Sequence, residues 1–217
     1  MTIFSNPEFY AHEKIVFHED KSTGLKAIVA IHNRNLGPAL GGCRMLPYKS
    51  EEAALCDVLR LSRSMTYKCA IANIPFGGGK SVIIGDPITH KSKALLHAMG
   101  DLVDSLGGDY ISSFDSGTSV DDVRVMSERT EHVGGILPGA GNASASTAYG
   151  VFTAIKASVK YRLQSESLHC VKVAVQGLGN VGLRLVEYLK EAGAEVYVTD
   201  LDEKHMATVA AKMQVNA

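Results

Sequence analysis

This sequence predicts an α/β fold in two parts. Three observations carry that expectation. Short β-branched runs alternate with segments of helical period. A stretch rich in Gly, Ala, Ser and Asn, from Gly134 to Ser146, interrupts the alternation and reads as a hinge. Beyond it a strand, a glycine turn, a helix and a second strand follow in close order.

The first elements read as a hairpin. Lys14–Asp20 and Leu25–His32 are rich in β-branched residues and flank the turn Lys21-Ser-Thr-Gly24. A Gly/Pro segment, Leu36 to Arg44, comes next. A helix is expected from Ser50 to Ala70. Ser50 suits the N-cap, Glu51 and Glu52 favour the positive helix start, and Leu55, Val58, Leu59 and Ser62 share one face. Gly77-Gly-Gly-Lys80 reads as a glycine loop ahead of a short buried strand, Ser81–Ile84. A helix over 91–106, a strand over 109–113 and a turn through Phe114-Asp115-Ser-Gly-Thr118 follow. A short helix opened by Ser119 then runs toward Arg129.

These elements form a first domain, 1–134, with the hinge at 135–146 and a second domain at 147–217. The second domain is read as a helix over 147–162, strand 171–175, helix 181–192, strand 195–199 and a helix from Glu203. Two parallel strands cannot cover both faces of their helices. The chain is therefore expected to be part of a longer protein or to lean on a partner.

Composition removes several classes of function. Of 217 residues, 46% are apolar and 21% charged, too apolar for a disordered chain. Six prolines without a glycine period exclude a collagen-like repeat. A net charge of −1 argues against a general nucleic-acid binder. No apolar run reaches the ~18 residues of a membrane span, and Met1 to Lys14 lacks the pattern of a secretory signal. Cys43, Cys56, Cys69 and Cys170 form no CxxC pair and read as small buried thiols in a reducing, cytoplasmic setting. The eight histidines show no ligand spacing, so no metal site is expected.

Two motifs carry chemistry. Gly177-Leu178-Gly179-Asn180-Val181-Gly182 matches GxGxxG between a β-branched strand and a helix, with Asp200 at the end of the next strand. The first glycine permits the tight turn, the second lets backbone approach a pyrophosphate at the helix start, and the third lets helix and strand pack closely. Asp200 suits a ribose diol and favours NAD over its 2′-phosphorylated relative. The second domain thus reads as an incomplete Rossmann-type NAD-binding domain. The plainer alternative is a glycine-rich turn with a surface Asp.

The other motif is a pair of lysines. Gly77-Gly-Gly-Lys80 resembles a P-loop only superficially, because Ile74 stands where that motif requires glycine. Lys68 ends Met65-Thr-Tyr-Lys68, near the end of a helix. With Lys80 folded back beside it, each ammonium lowers the pKa of the other, and a neutral amine acts as a base. Asp115 either faces a ligand crevice at its strand end or caps its own turn.

Taken together, Asp20-Lys-Ser-Thr-Gly-Leu-Lys-Ala-Ile28, Leu36-Gly-Pro-Ala-Leu-Gly-Gly-Cys-Arg-Met45, Met65-Thr-Tyr-Lys68, Gly77-Gly-Gly-Lys80, Ile83-Ile-Gly-Asp-Pro87, Thr147-Ala-Tyr-Gly-Val151 and Val175 to Gly182 resemble the Glu/Leu/Phe/Val dehydrogenases, nearest their leucine-type members. The resemblance spans nearly the whole chain. It implies a mixed α/β substrate-binding and dimerisation domain ahead of the NAD domain, assembly into a homo-oligomer, and NAD-dependent oxidative deamination of an apolar, leucine-like L-amino acid.

It also implies roles. Lys68 binds the substrate carboxylate with the Gly41 and Gly42 backbone, Lys80 activates water, and Asp115 exchanges protons with the amino group. Thr147 contacts the nicotinamide carboxamide. Leu40, Met65 and Ser113 border the substrate, and Leu40 stands where glutamate-specific members carry Lys. Phe114 and Ser116 replace an acidic and an apolar residue of the family pattern, and Ser113 replaces a small apolar one. The unfinished NAD domain implies little turnover by this chain alone. It also leaves open a non-catalytic oligomerising or cofactor-binding remnant, or a phenylalanine- or valine-specific relative.

Overall fold

In the computed structural model, which describes residues 3–136 and 143–217, the hairpin forms as its alternation dictates. Strands β1 (Lys14–Asp20) and β2 (Leu25–Asn33) pair antiparallel from Lys14↔Ile31 to Asp20↔Leu25. They join β3 (Ala39–Leu46), β4 (Gly77–Ile84) and β5 (Tyr110–Phe114) in one sheet of order β1-β2-β4-β3-β5. Strand β2 runs antiparallel to β4, and β3 runs parallel to both β4 and β5.

Two expectations are corrected here. The Gly/Pro segment becomes strand β3 from Ala39 onward, and the glycine loop Gly77–Lys80 is the first half of β4. Glycines are poor strand formers. These, however, lie between partners on both sides, with Ile31↔Gly79 on one flank and Leu40↔Gly78 on the other. Such pairing satisfies the backbone donors and acceptors of a segment that has little preference of its own.

Alternation gives the sheet two apolar faces. Helix α1 (Glu51–Ile71) starts where Ser50 accepts a hydrogen bond from the Ala53 N–H, 3.1 Å away. Its Ala54, Leu55, Val58 and Leu59 pack on Ile28, Ala30 and Val82. Helices α2 (Lys93–Asp104) and α3 (Val120–Ser127), the latter opened by a Ser119–Asp122 capping box, supply Leu95, Met99, Leu102 and Met126. These meet Ala27, Val29, Ile31, Met45 and Ile83 on the opposite parity. Each fully buried Leu or Val is worth roughly 1.5–3 kcal/mol against exposure, which holds the layers together.

The chain divides into two compact units, Met1–Leu137 and Pro138–Ala217. The second comprises α4 (Ala143–Leu163), β6 (Lys172–Gln176), α5 (Asn180–Glu191), β7 (Glu195–Thr199) and α6 (Glu203–Met213). Strands β6 and β7 run parallel, from Lys172↔Glu195 to Gln176↔Thr199. Beyond α6, Asn216 bridges Tyr197 in parallel, the first step of a further strand position. Leu178, Val186, Leu189, Val196 and Val198 form the core of this unit.

The hinge expected at 135–146 falls in part on residues 137–142. Residues 143–146 already belong to α4, because Ala143 and Ala145 have high helix propensity, and residues 137–142 lie outside the described ones. Among the thiols, Cys43 and Cys69 are buried and Cys56 half-buried, but Cys170 is exposed in the loop ahead of β6, contrary to expectation. No helix among the described residues is long and apolar enough to cross a membrane.

Candidate active site

On β3 the parity that faces α1 is Leu40, Gly42 and Arg44, and on β4 it includes Lys80. Near the end of α1 this face is no longer covered by apolar side chains. A cleft of about 590 Å³ opens there, within the N-terminal unit. Leu40, Gly41, Gly42, Met65, Lys68, Lys80, Ser113 and Asp115 all line it, so every N-terminal residue given a catalytic or substrate role reaches one hollow, whereas Ser116 does not line it.

Phe114, noted as a departure from the family pattern, also lines the cleft, and Phe76, Ile111, Val133, Gly134 and Gly135, to which the sequence gives no site role, complete the wall. Ile111 was within reach, since it shares the two-residue period of Ser113 and Asp115. Val133 to Gly135 were not. They lie beside β5 because the Ser112 N–H donates to the His132 carbonyl (3.0 Å) and the Gly134 N–H to the Ser112 carbonyl (2.7 Å). Their glycines had suggested a hinge.

The polar centre is an ion pair. Lys80 Nζ lies 2.8 Å from Asp115 Oδ2, and the Lys80 side chain is only 8% exposed. Arg44 Nε donates to the same Oδ2 at 2.8 Å, while Arg44 Nη1 donates to Asp57 Oδ2 at 2.9 Å. Tyr48 completes the chain by donating its hydroxyl to Asp57 Oδ2 at 2.7 Å. Thr118, rather than the Asp115 carboxylate, closes the turn. Its Oγ1 accepts from the Asp115 N–H (2.9 Å) and donates to the Cys43 carbonyl (2.7 Å).

Burial pushes the Lys80 amine down from its ordinary value. The Asp115 pairing opposes this without cancelling it, and Arg44 adds to the depression. Burial opposes charge on Asp115 as well, but Lys80 and Arg44 outweigh it and hold the carboxyl below its usual range. The cation that shares Asp115 with Lys80 is not the Lys68 of the sequence reading. The cation acting on Lys80 is Arg44 from the adjacent strand, whereas Lys68 is exposed in the last turn of α1. A buried, easily deprotonated amine touching an ionised carboxylate can hold and move protons, and an exposed ammonium at the same cleft can bind an anion.

In the C-terminal unit, Gly177 turns the chain at φ +91° and donates its N–H to the Thr199 carbonyl at 2.8 Å. Gly179 is the N-cap of α5, and no side chain caps it. Asn180 and Val181 open the helix, and a Cβ on Gly182 would fall 1.9 Å from the Gly177 carbonyl oxygen. Asp200 accepts from the Leu178 N–H (2.6 Å) and the Asp202 N–H (3.0 Å), bonds that keep its carboxyl below the usual range. The Leu178 side chain is fully buried in the core, so only its backbone borders the turn. Thr147 lies exposed on α4. Among the described residues no group of three or more His, Cys, Asp or Glu is placed to hold a metal ion.

A family model described as the Glu/Leu/Phe/Val dehydrogenase dimerisation domain matches residues 9–132, and a second, for glutamate/leucine/phenylalanine/valine dehydrogenase, matches residues 138–207. The chain belongs to the Glu/Leu/Phe/Val dehydrogenase family. It is 48% identical over 210 residues to leucine dehydrogenase of Geobacillus stearothermophilus, covering 95% of this chain and 57% of that one. It is 49% identical over 206 residues to phenylalanine dehydrogenase of Lysinibacillus sphaericus, covering 94% and 54%. Among solved structures it resembles L-tryptophan dehydrogenase from Nostoc punctiforme, with a TM-score of 0.68, 46% identity and coverage of 95% and 58%. The chain thus spans little more than half the length of these amino-acid dehydrogenases. Relatives named for three different side chains are equally close, so overall identity does not select the substrate within the family.

Proposed function

We propose that this chain carries the substrate site and part of the cofactor site of an NAD-dependent dehydrogenase. In this reading it converts an apolar, leucine-like L-amino acid, with NAD⁺ and water, to the 2-oxo acid, ammonium and NADH. The observation that carries the reading is the Lys80–Asp115 pair in the same cleft as Lys68, with much of the remaining wall apolar. Lys68, with the Gly41 and Gly42 backbone, holds the substrate carboxylate. Leu40, Met65, Ile111, Ser113 and Val133 receive the side chain. Asp115 takes a proton from the substrate ammonium, leaving an electron pair on nitrogen. Once the hydride has left the α-carbon, Lys80 takes a proton from the water that attacks the imine carbon; Asp115 then returns its proton to the amino nitrogen, and the C–N bond breaks as the carbinol O–H proton passes to cleft water.

The residues of the second unit fit a dinucleotide. Gly177 and Gly179 have open space where a Cβ would stand, and the uncapped start of α5 offers free N–H groups to a pyrophosphate. Gly177 and the Leu178 backbone would shape the turn against the pyrophosphate, Gly179, Asn180, Val181 and Gly182 would hold the phosphates, Asp200 the ribose diol and Thr147 the nicotinamide carboxamide. When bound, NAD⁺ supplies the acceptor for the hydride leaving the substrate α-carbon.

The dimerisation-domain match over residues 9–132 supports assembly as a homo-oligomer through the first unit. Four unpaired cysteines support a reducing, cytoplasmic setting. Calorimetry with L-leucine, L-phenylalanine and L-glutamate tests the reading. Apolar L-amino acids should bind the folded chain, and binding should weaken at least tenfold in Lys68→Ala. Failure of all three to bind, or undiminished binding by that variant, refutes it.

A further inference from the structure

Asp115 presents two oxygens, and the structure treats them differently. Lys80 Nζ and Arg44 Nε both bond to Oδ2, each at 2.8 Å. Among the described residues no side chain bonds to Oδ1. Arg44 is itself held from the far side by Asp57 at 2.9 Å, and Asp57 by the Tyr48 hydroxyl at 2.7 Å. Strands β3 and β4, helix α1 and the turn after β5 thus contribute a closed set of two cations and two anions. We propose that Arg44, clamped by Asp57, is a positioning residue: it fixes the Asp115 carboxylate through Oδ2 and leaves Oδ1 as the atom that exchanges a proton with the substrate nitrogen. This assignment rests on the deamination reading above.

The physical logic is geometric first. A guanidinium has five donors in a rigid plane, so Arg44 can bond Asp57 and Asp115 at once and transmit the position of α1 to the acid. A lysine at 44 would supply charge without that fork. The proton balance is simple. An N–H bond of the substrate ammonium breaks, an O–H bond forms at Oδ1, and the electron pair stays on nitrogen. Oδ2 remains bonded throughout. Once Asp115 is neutral, Lys80 has lost its counter-charge while Arg44 keeps Asp57, so the Lys80 proton leaves for cleft water and the amine is free to act as base.

The groups that bear on Asp115 are few. Lys80 comes from β4, Arg44 and Cys43 from β3, and Asp57 from α1, with Tyr48 just ahead of that helix. The Ser116 N–H also favours the ionised carboxylate. The Cys43 thiol is pushed up to about 11 by burial and stays neutral. Asp122 on α3 is paired with Lys91 at 2.8 Å, and Lys68 lines the same cleft.

A carbon-13 NMR titration of the uniformly labelled chain, following Asp115 Cγ and Lys80 Cε, tests the proposal. Arg44→Met should raise the Asp115 midpoint by about one pH unit while both signals stay dispersed as in the folded chain. An unmoved midpoint in a folded variant overturns the proposal. Should Arg44→Met fail to fold, Asp57→Asn decides instead. It leaves the charges beside Asp115 in place but unlocks Arg44, and the Arg44 Nε–H should lose its protection from exchange with solvent. Equal protection overturns the clamp. L-Leucine added to the same samples separates the two readings. It should shift Asp115 Cγ in the parent and at least tenfold less readily in Arg44→Met. A moved midpoint with no response to any L-amino acid sinks the deamination reading and the substrate role together. Full response with an unmoved midpoint sinks the positioning role alone.

Discussion

Two glycine-rich stretches of this chain, Gly77–Gly79 and Gly177–Gly179, look alike as text and do opposite things. A Cβ on Gly78 would fall 2.1 Å from the Thr66 backbone nitrogen and 2.6 Å from the Ser62 carbonyl oxygen, so glycine there lets α1 lie directly on β4. A Cβ on Gly177 would meet nothing within 4 Å, yet the backbone sits at φ +91°. In the first stretch glycine removes bulk so that two elements can touch. In the second it bends the chain and keeps space open. Composition cannot separate these uses, because the difference lies in what stands beside the missing side chain.

Substitution should separate them by size of effect. Gly78→Ala must displace backbone rather than a flexible side-chain end, and should cost roughly 3 kcal/mol in urea unfolding of the N-terminal unit. A loss under about 1 kcal/mol would show that α1 can lift away. Gly177→Ala meets no clash but must hold a strained backbone, so about 1–2 kcal/mol should be lost from the C-terminal unit.

A third effect concerns the layer that Gly78 makes possible. His12 Nε2 lies 2.8 Å from Ser62 Oγ, His32 Nδ1 lies 2.8 Å from Thr66 Oγ1, and the two rings meet edge-on at 4.8 Å. Burial pushes both imidazoles below their ordinary value. Both are therefore neutral in the folded unit, whereas the unfolded chain takes up protons near about pH 6.5. The unfolded state binds more protons below that point, so stability is full above it and falls as pH drops toward the folded values. Urea midpoints of the N-terminal unit should decline from about pH 7 to about pH 5 by an amount worth about 1 kcal/mol, and His32→Gln should flatten the slope. An unchanged slope in that variant would assign the acid sensitivity elsewhere.

The smallest effect on stability is expected at Gly179, which has open space and an ordinary φ of −71°. Gly179→Ala should change stability by no more than about 0.5 kcal/mol, yet weaken NAD binding in calorimetry at least tenfold. Unchanged affinity would remove the parallel drawn between open space and cofactor approach.

Some elements were legible because their causes are local. The β1–β2 hairpin follows from alternation across a short turn. Helices α1 and α3 begin at Ser50 and Ser119 because a hydroxyl there satisfies orphan N–H groups three residues on. GxGxxG was legible because the strand before it, the helix after it and Asp200 all lie within a short span of chain. Ser81–Ile84 was legible as the second half of β4, but β3 and the first half of β4 were not, because Gly41, Gly42 and Gly77–Gly79 have no strand preference and become strand through their neighbours in the sheet.

The sequence by itself determined the periods and the caps, and it singled out Lys68, Lys80 and Asp115, which line one cleft. Only the tertiary structure decided which charge stands beside which. The spacing of twelve residues left open whether Lys80 folds back beside Lys68, whereas strand order brings β3 alongside β4 and sets Arg44 with Lys80 on Asp115, with Asp57 behind it. Electrostatic interaction depends on distance through space and on burial, and neither is a function of separation along the chain.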